Sequence, residues 1–462
     1  MKKLIVTGIA ATLVSTSALA SQARLLALGM KETDNEGLYY VQDSRNIFQN
    51  PAWAQVYSNT VIAEYGDSGS SLSGTGTSVT LDKSDKPKAQ GGILQKIGDL
   101  TYGVYFGNES NTSSLLRIVG TSALTAGNGT IAATGVTASK QLQSADNQVD
   151  FFVAGERDGM KWGFNALYAG GKREANNSKD SAAAIRGGVL ADKWDAHLNI
   201  SLLSKSEATD DVTGVQTGDL NGDGDTVDAG EGQVVSGAVN GVKHEFKGKL
   251  GLQAGGSYLA TDSLRVFGYV KHFSWEQTDN AALVTAQRNV LGGQQGTIKG
   301  DFNSYYVGTT HTHKLSETDT IFTTVHIKKT DVNLKFTNKG EVRHTVIPVT
   351  LAYEAKATDW LTLRGSVIQN IYGVRDNKGL NTLNIAARGA IKQVYGDNGK
   401  STLHNSTEVN AGATFTFGNL AVDGLIGATN ASRTGGLSAS GTNTGTLTLD
   451  NLMSRVAMTY KF

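Results

Sequence analysis

The connections of this chain alternate between short and long. About 16 stretches in which polar and apolar residues change places at every position follow one another along it. That is the period of a strand, whose successive side chains point to opposite faces. In the clearest of them, Trp194, Ala196, Leu198, Ile200 and Leu202 alternate with Asp195, His197, Asn199 and Ser201. Tight turns fall at Gly98-Asp99, Arg157-Asp158-Gly159, Thr261-Asp262 and Gly418-Asn419, with others near Ser316-Glu317 and Thr358-Asp359. Long polar segments lie between them, at 66–88, 108–147, 170–180, 204–241, 276–301, 330–343, 374–403 and 430–450. A soluble two-sheet sandwich gives no reason for such order. A barrel across a membrane does, with short periplasmic turns at one rim and long extracellular loops at the other. The reading is all-β: a transmembrane antiparallel β-barrel of about 16 strands. A 14-strand count is the rival, because Gln55–Tyr65 and Ser181–Leu190 are weakly patterned.

Composition agrees. Only 3 Pro are present, as many hydrogen-bonded strands require, and 39% hydrophobic content suits strands greasy on one face only. Met1-Lys2-Lys3, an apolar run from Leu4 and Ala18-Leu19-Ala20 read as an export signal over 1–20. Nothing later is a continuous apolar run of the ~20 residues a spanning helix needs. Without 1–20 the balance is 40 basic to 42 acidic residues, which gives no electrostatic footprint for nucleic acid. No Cys is present, so disulfide frameworks, thiol chemistry and an N-terminal lipid-modified Cys are excluded.

Residues 21–54 differ from the rest. Ala23-Arg24-Leu25-Leu26-Ala27-Leu28-Gly29-Met30 is helix-like, and Asp43-Ser44-Arg45-Asn46-Ile47-Phe48-Gln49-Asn50-Pro51-Ala52 precedes the barrel at 55–462. This stretch resembles the start of the fatty-acid-transporter and secretion-porin group of outer-membrane barrels. The resemblance covers Arg24 to Ala52 and implies a periplasmic segment that tucks into the barrel mouth as a partial plug; a plain surface lead-in is the alternative. The chain as a whole also resembles the major outer-membrane porins of predatory deltaproteobacteria.

A barrel this wide leaves a lumen that side chains do not fill. The expected pore-lining residues are Asp195, His197, Asn199, Lys243, Glu245, Lys247, Lys249, Arg364, Glu408 and Arg455, with Glu354, Asp423 and Lys461 on inward parities as well. Both signs occur, so the expected function is weakly selective passive diffusion of small hydrophilic solutes. The alternatives are a fatty-acid-transporter-like barrel for hydrophobic substrates and a surface adhesion barrel. The apolar residues of 108–147 and 374–403 suit a constriction or a contact with a neighbouring subunit, as in the trimeric porins the barrel resembles in width. Asp219, Asn221, Asp223 and Asp225 follow the first half of an EF-hand loop, but Gly230 stands where the bidentate Glu belongs. They predict a weak calcium site in a surface loop; no other cofactor is expected. No hydrolase, metalloprotease or phosphate-cradling motif appears, so an enzyme is not expected.

The last stretch closes the argument. Leu452, Val456, Met458, Tyr460 and Phe462 share a parity opposite Arg455, Ala457, Thr459 and Lys461. Tyr460 and Phe462 resemble the C-terminal aromatic signal read by the barrel-assembly machinery. The expected partners are therefore outer-membrane lipid, that machinery and small solutes, in the outer membrane of a Gram-negative bacterium.

Overall fold

The computed structural model describes residues 21–30, 37–67, 70–73, 80–83, 88–108, 148–173, 178–215, 235–280, 296–335, 339–380, 398–402, 406–432 and 455–462. The export signal at 1–20, the calcium-like loop at 219–225 and the constriction segments within 109–147 and 381–397 lie outside them. The strands form one closed antiparallel ring of 16 staves. They are β1 Thr60–Asp67, β2 Lys88–Ile97, β3 Leu100–Phe106, β4 Gln148–Arg157, β5 Met160–Arg173, β6 Ser178–Leu190, β7 Trp194–Val215 and β8 Val235–Leu259. The ring continues through β9 Leu264–Asn280, β10 Gly296–Lys314, β11 Asp319–Lys335, β12 Lys339–Lys356 and β13 Leu361–Lys378. β14 comes in two segments on the same edge of β13, Gly399–Thr402 and Ser406–Phe417; β15 is Leu420–Ser432 and β16 is Arg455–Lys461. A small hairpin, Ser70–Ser73 with Thr80–Lys83, stands apart from the ring.

Each strand pairs with its sequence neighbours, and β16 returns to β1, with Val61 opposite Tyr460 and Ala63 opposite Met458. The first strand begins at Thr60 rather than Gln55, because Trp53–Val56 forms a short helix, α2. Beyond the last ladder residue, Phe462 N–H donates to the Asn59 carbonyl at 3.0 Å. Removing Phe462 deletes that bond and an exposed aromatic. The expected result is slower folding into lipid vesicles and a barrel destabilised by about 1–2 kcal/mol. Electrophoretic heat-modifiability checks it.

Outward positions carry the large exposed hydrophobics, among them Tyr102, Phe164, Leu198, Val307, Leu351 and Val367. Trp194, Tyr258, Trp360 and Phe417 girdle the short-turn rim; Tyr65, Phe106, Tyr168 and Tyr372 girdle the other edge. The interval between girdles matches the 9–11 tilted residues a membrane strand needs, roughly. Among the described residues no helix is long and apolar enough to cross a membrane.

The ring is lopsided. β3 has 7 residues, whereas β8 has 25 and β10 has 19. The surplus on β7–β13 projects past the girdle, which shortens the connections expected at 204–241, 276–301 and 330–343. There the polarity of the faces reverses. Val325 and Ile327 face out within the belt, but farther along β11 it is Lys329 and Asp331 that face out while Val332 and Leu334 are buried inside. Once water replaces lipid outside the wall, apolar side chains gain by turning inward.

The reversal does not displace the register, but bulges do, two of them on β7 and β8. Leu202 and Leu203 are both exposed at an irregularity of β7, and β8 carries an extra residue between Gly248 and Gly251. An extra residue shifts every later side chain to the other face.

Candidate functional site

Residues 21–30 and 37–57 lie within the ring, at its short-turn end. Helix α1, Gln22–Ala27, starts at Ser21, whose hydroxyl accepts the Arg24 N–H. Six buried apolar residues (Leu25, Leu26, Leu28, Met30, Leu38 and Val41) pack on Phe322, Ala352 and Leu425 of the wall. A 3-10 turn, Ser44–Phe48, is capped by Asp43 and presents Ile47 and Phe48 to Ile62, Leu94, Tyr105 and Phe152. Each such side chain is worth about 1.5–3 kcal/mol when removed from water. The segment therefore has apolar footings on two sides of the wall, where the expected partial plug would sit.

Two arginines tie it down. The Arg24 guanidinium grips Glu354 of β12 in bidentate fashion, at 3.0 Å on both bonds, and reaches Asp43 Oδ2 at 3.2 Å and the Gln42 carbonyl at 2.9 Å. Glu354 is shared with Arg364 of β13, which also holds Asp423 of β15 at 3.2 Å and Thr414 of β14. On the other side, Arg45 pairs with Glu64 of β1 at 2.7 Å and donates to Asn108 at 2.7 Å. Glu64 accepts further bonds from the Gln22 N–H at 2.7 Å and the Tyr105 hydroxyl at 3.0 Å.

Burial opposes the charge of Arg24, but the Glu354 and Asp43 carboxylates more than offset it, so the guanidinium is held protonated. The Arg24–Arg364 cluster sets two cations against three carboxyls, Asp43, Glu354 and Asp423. Burial pushes the Asp43 carboxyl up from 3.8 to about 7, against the pull of Arg24. A seated plug thus holds a proton there that a released, solvated plug gives up. Acid favours seating: this contribution is complete below about pH 4 and lost as pH rises through about 7. Proteolytic nicking of the plug is expected to increase from about pH 5 to about pH 8 in the native chain and to stay flat in Asp43→Asn.

The third footing is Asn50-Pro51-Ala52. The Asn50 amide donates to the carbonyls of Val189 at 3.0 Å and Ala196 at 3.3 Å, and its oxygen accepts the Ala52 N–H at 3.1 Å. Two wall glycines admit it. A Cβ on Gly188 would strike the Asn50 amide, and one on Gly163 would strike the Pro51 carbonyl.

Tyr39 is the fourth footing. Its ring stacks on Phe267 of β9 at 5.3 Å, and its hydroxyl donates to the Gly268 carbonyl at 3.3 Å. From there aromatic rings climb the inner face of β9 and β10 in two groups, separated by the rung of Lys271 and Ser304. Phe267 meets Tyr306 at 5.6 Å, Tyr306 meets Tyr269 at 4.9 Å, and Phe273 meets Phe302 at 4.9 Å nearer the long-loop end. Tyr269, Tyr306, Phe273 and Phe302 are half-buried, so the ladder keeps accessible edges above the plug.

The expected pore-lining residues divide. Asp195, His197 and Asn199 face inward; Asp195 accepts from Ser257, and His197 lies beside Tyr39 with ring centroids 5.9 Å apart. Arg364 is inward but committed to the plug network, and Glu408 is inward beside Asn410 at 3.3 Å. Glu245, Lys247 and Lys249 are a correction. The extra residue of β8 puts them on the outer face, where Lys247 pairs with Glu245 and Lys249 with Glu276, both at 2.8 Å. For Lys243 and Arg455 the structure gives backbone pairing alone, opposite Asn280 and Leu425. Tyr460 and Phe462 are exposed on the lipid side.

Sequence reasoning missed Arg45, Asp43, Glu64 and Tyr39 as wall contacts and did not see the ladder. The one signal that pointed there was Asn50-Pro51-Ala52 with the apolar α1. Among the described residues no group of three or more His, Cys, Asp or Glu is arranged to hold a metal.

No family model matches the chain. No curated protein matches it. Among solved structures it is similar to a Pseudomonas aeruginosa FadL homologue, with TM-score 0.37, 12% identity and coverage of 94% of this chain and 98% of that one. It is also similar to the anion-selective porin from Comamonas acidovorans, at TM-score 0.31, 14% identity and 78% and 97% coverage. OmpT of Vibrio cholerae gives TM-score 0.32, 10% identity and 78% and 95% coverage. Scores this low assign neither family nor substrate.

Proposed function

We propose that this chain is a plug-gated transport barrel of a Gram-negative outer membrane that takes small, largely apolar or aromatic solutes. The lipid-facing belt and the long-loop, short-turn arrangement support the location. The observation that carries the function is the aromatic ladder ending on a plug. Half-buried Phe273, Phe302, Tyr269 and Tyr306 line the lumen wall above Tyr39, and residues 21–30 and 37–57 bind the wall below them on both sides. Aromatic faces favour apolar ligands with few polar groups, since a flat ring gains by stacking and loses little water. Steady diffusion of hydrophilic solutes needs water through the lumen, which a seated plug obstructs.

Weakly selective diffusion is the second reading, favoured by the inward Asp195, His197, Glu408 and Arg265. Planar-bilayer recording with parallel uptake of a labelled monoaromatic probe separates the two. The gated reading expects a quiet native barrel, probe uptake that falls when Tyr269 and Tyr306 become Ala, and conductance once 21–57 are deleted. Steady open channels in the native chain, with probe uptake indifferent to those tyrosines, would establish the diffusion pore instead.

A further inference from the structure

Above the lipid belt one rung of the ladder runs unbroken across six strands on the outer face. Lys205 of β7 stands opposite Lys247 of β8, Lys247 opposite Glu276 of β9, and Glu276 opposite Lys299 of β10. Lys299 then stands opposite Lys335 of β11, and Lys335 opposite Lys339 of β12. Five of the six side chains are lysines, and three of the five cross-strand contacts join like charges. Strands lie about 4.8 Å apart, so the row covers roughly 24 Å. Like charges placed directly opposite are destabilising.

Acids relieve the row only in part. Lys205 reaches Glu207 and, at 3.2 Å, Glu245, which Lys247 shares at 2.8 Å; Lys299 reaches Glu276 at 3.3 Å; Lys335 reaches Asp301 only at 3.9 Å; and Lys339 reaches Glu341 at 2.7 Å. The ammonium groups have three donors each and are open to solvent, with Lys247, Lys299, Lys335 and Lys339 between 55% and 60% exposed. Exposed pairs of this kind hold by about 0–1 kcal/mol, so a multiply charged anion displaces or joins them at little cost.

The position of the row says which anion. Lys205 follows the lipid-facing Leu202 and Leu203 by a single rung, so the low end starts at the membrane edge. Lys299 lies six residues beyond the lipid-facing Tyr305, and Lys335 eight beyond Ile327, so the high end stands clear of it. Tilted strands climb roughly 15–20 Å over that interval. A partner that fits is anionic, anchored in the outer leaflet, and carries its charges through a thick headgroup.

We propose that the Lys205–Lys339 row binds the phosphorylated headgroup of an outer-leaflet glycolipid. Ammonium groups bond phosphate oxygens as charge-assisted donors. Binding there adds charge-assisted bonds to the lysines of the tall β7–β12 wall.

The test uses the full chain, refolded in detergent and mixed with purified lipopolysaccharide, with bound lipid counted by native mass spectrometry. Dephosphorylated lipopolysaccharide and phosphatidylglycerol provide the other lipid arms, and millimolar inorganic phosphate is the competitor. Lys247→Gln/Lys299→Gln/Lys335→Gln removes the row's centre. Lys96→Gln/Lys193→Gln/Lys314→Gln removes the same charge from the short-turn side, and heat-modifiability verifies that both variants are folded. The proposal expects retention of the phosphorylated glycolipid to drop at least tenfold in the row variant, to stay level in the short-turn variant and to be weak for the dephosphorylated lipid. Equal retention by the native chain and the row variant overturns it. So does an equal drop in both variants. Displacement by inorganic phosphate would make the row a small-anion site and equally overturn the lipid assignment.

Discussion

Replacing Arg24 with Met should release the plug and turn a quiet barrel into a conducting one. The substitution keeps the aliphatic stem that packs in α1 and deletes the charge. Glu354 then loses its bidentate partner, and Asp43, wholly buried, loses the guanidinium that bonds it. Removing one member of a buried ion pair costs about 3–5 kcal/mol, because the charge left behind stays desolvated. The plug footings bear that cost, since the barrel keeps its ladders and Arg364 keeps Asp423. The equilibrium between seated and released plug shifts by roughly 10²–10⁴. Open time in planar bilayers and protease access to residues 21–57 should rise together. An Arg24→Met barrel as quiet and as resistant as the native one would refute the gating role of this network.

Gly188→Val attacks the plug from the opposite side of the ring. A side chain there occupies the place of the Asn50 amide, so Asn50 gives up its bonds to Val189 and Ala196. Overpacking costs about 1–3 kcal/mol. Each lost bond adds ~1 kcal/mol. Valine suits a strand, so β6 itself should not suffer. Asn50→Gly with Gly188→Val removes the clash but not the lost bonds, and should recover part of the closed time. The Arg24 and Asn50 footings touch different strands, β12–β13 and β6–β7. If the plug moves as one body, the free energies of Arg24→Met and Gly188→Val add in the double variant. If each footing releases only its own part, protease cuts will appear near 24 in one single variant and near 50 in the other.

The alternation of the strands, their number, the short-turn rim and the closing strand were legible in the sequence. These features repeat every two residues or at every connection, and lipid outside the wall enforces a greasy parity that survives in one dimension. Trp194 to Leu202 shows it with no structure at all. Past the girdle that constraint ends. Lys329 and Asp331 turn outward, Val332 and Leu334 turn inward, and the far ends of β11 and β12, within 330–343, read as a loop because the greasy face has changed sides.

The sequence by itself determined that the chain closes into a lipid-facing barrel of this size with a distinct segment ahead of it. Only the tertiary structure decided where that segment goes and which way the charges face. Arg24 meets Glu354 across 330 residues, a pairing that no local pattern encodes. The Lys205 to Lys339 row exists only because hydrogen-bonded registers bring six strands into line. A single extra residue between Gly248 and Gly251 moves Glu245 and Lys247 from the lumen to the outer face, and a bulge is invisible to a reading that assumes strict period two.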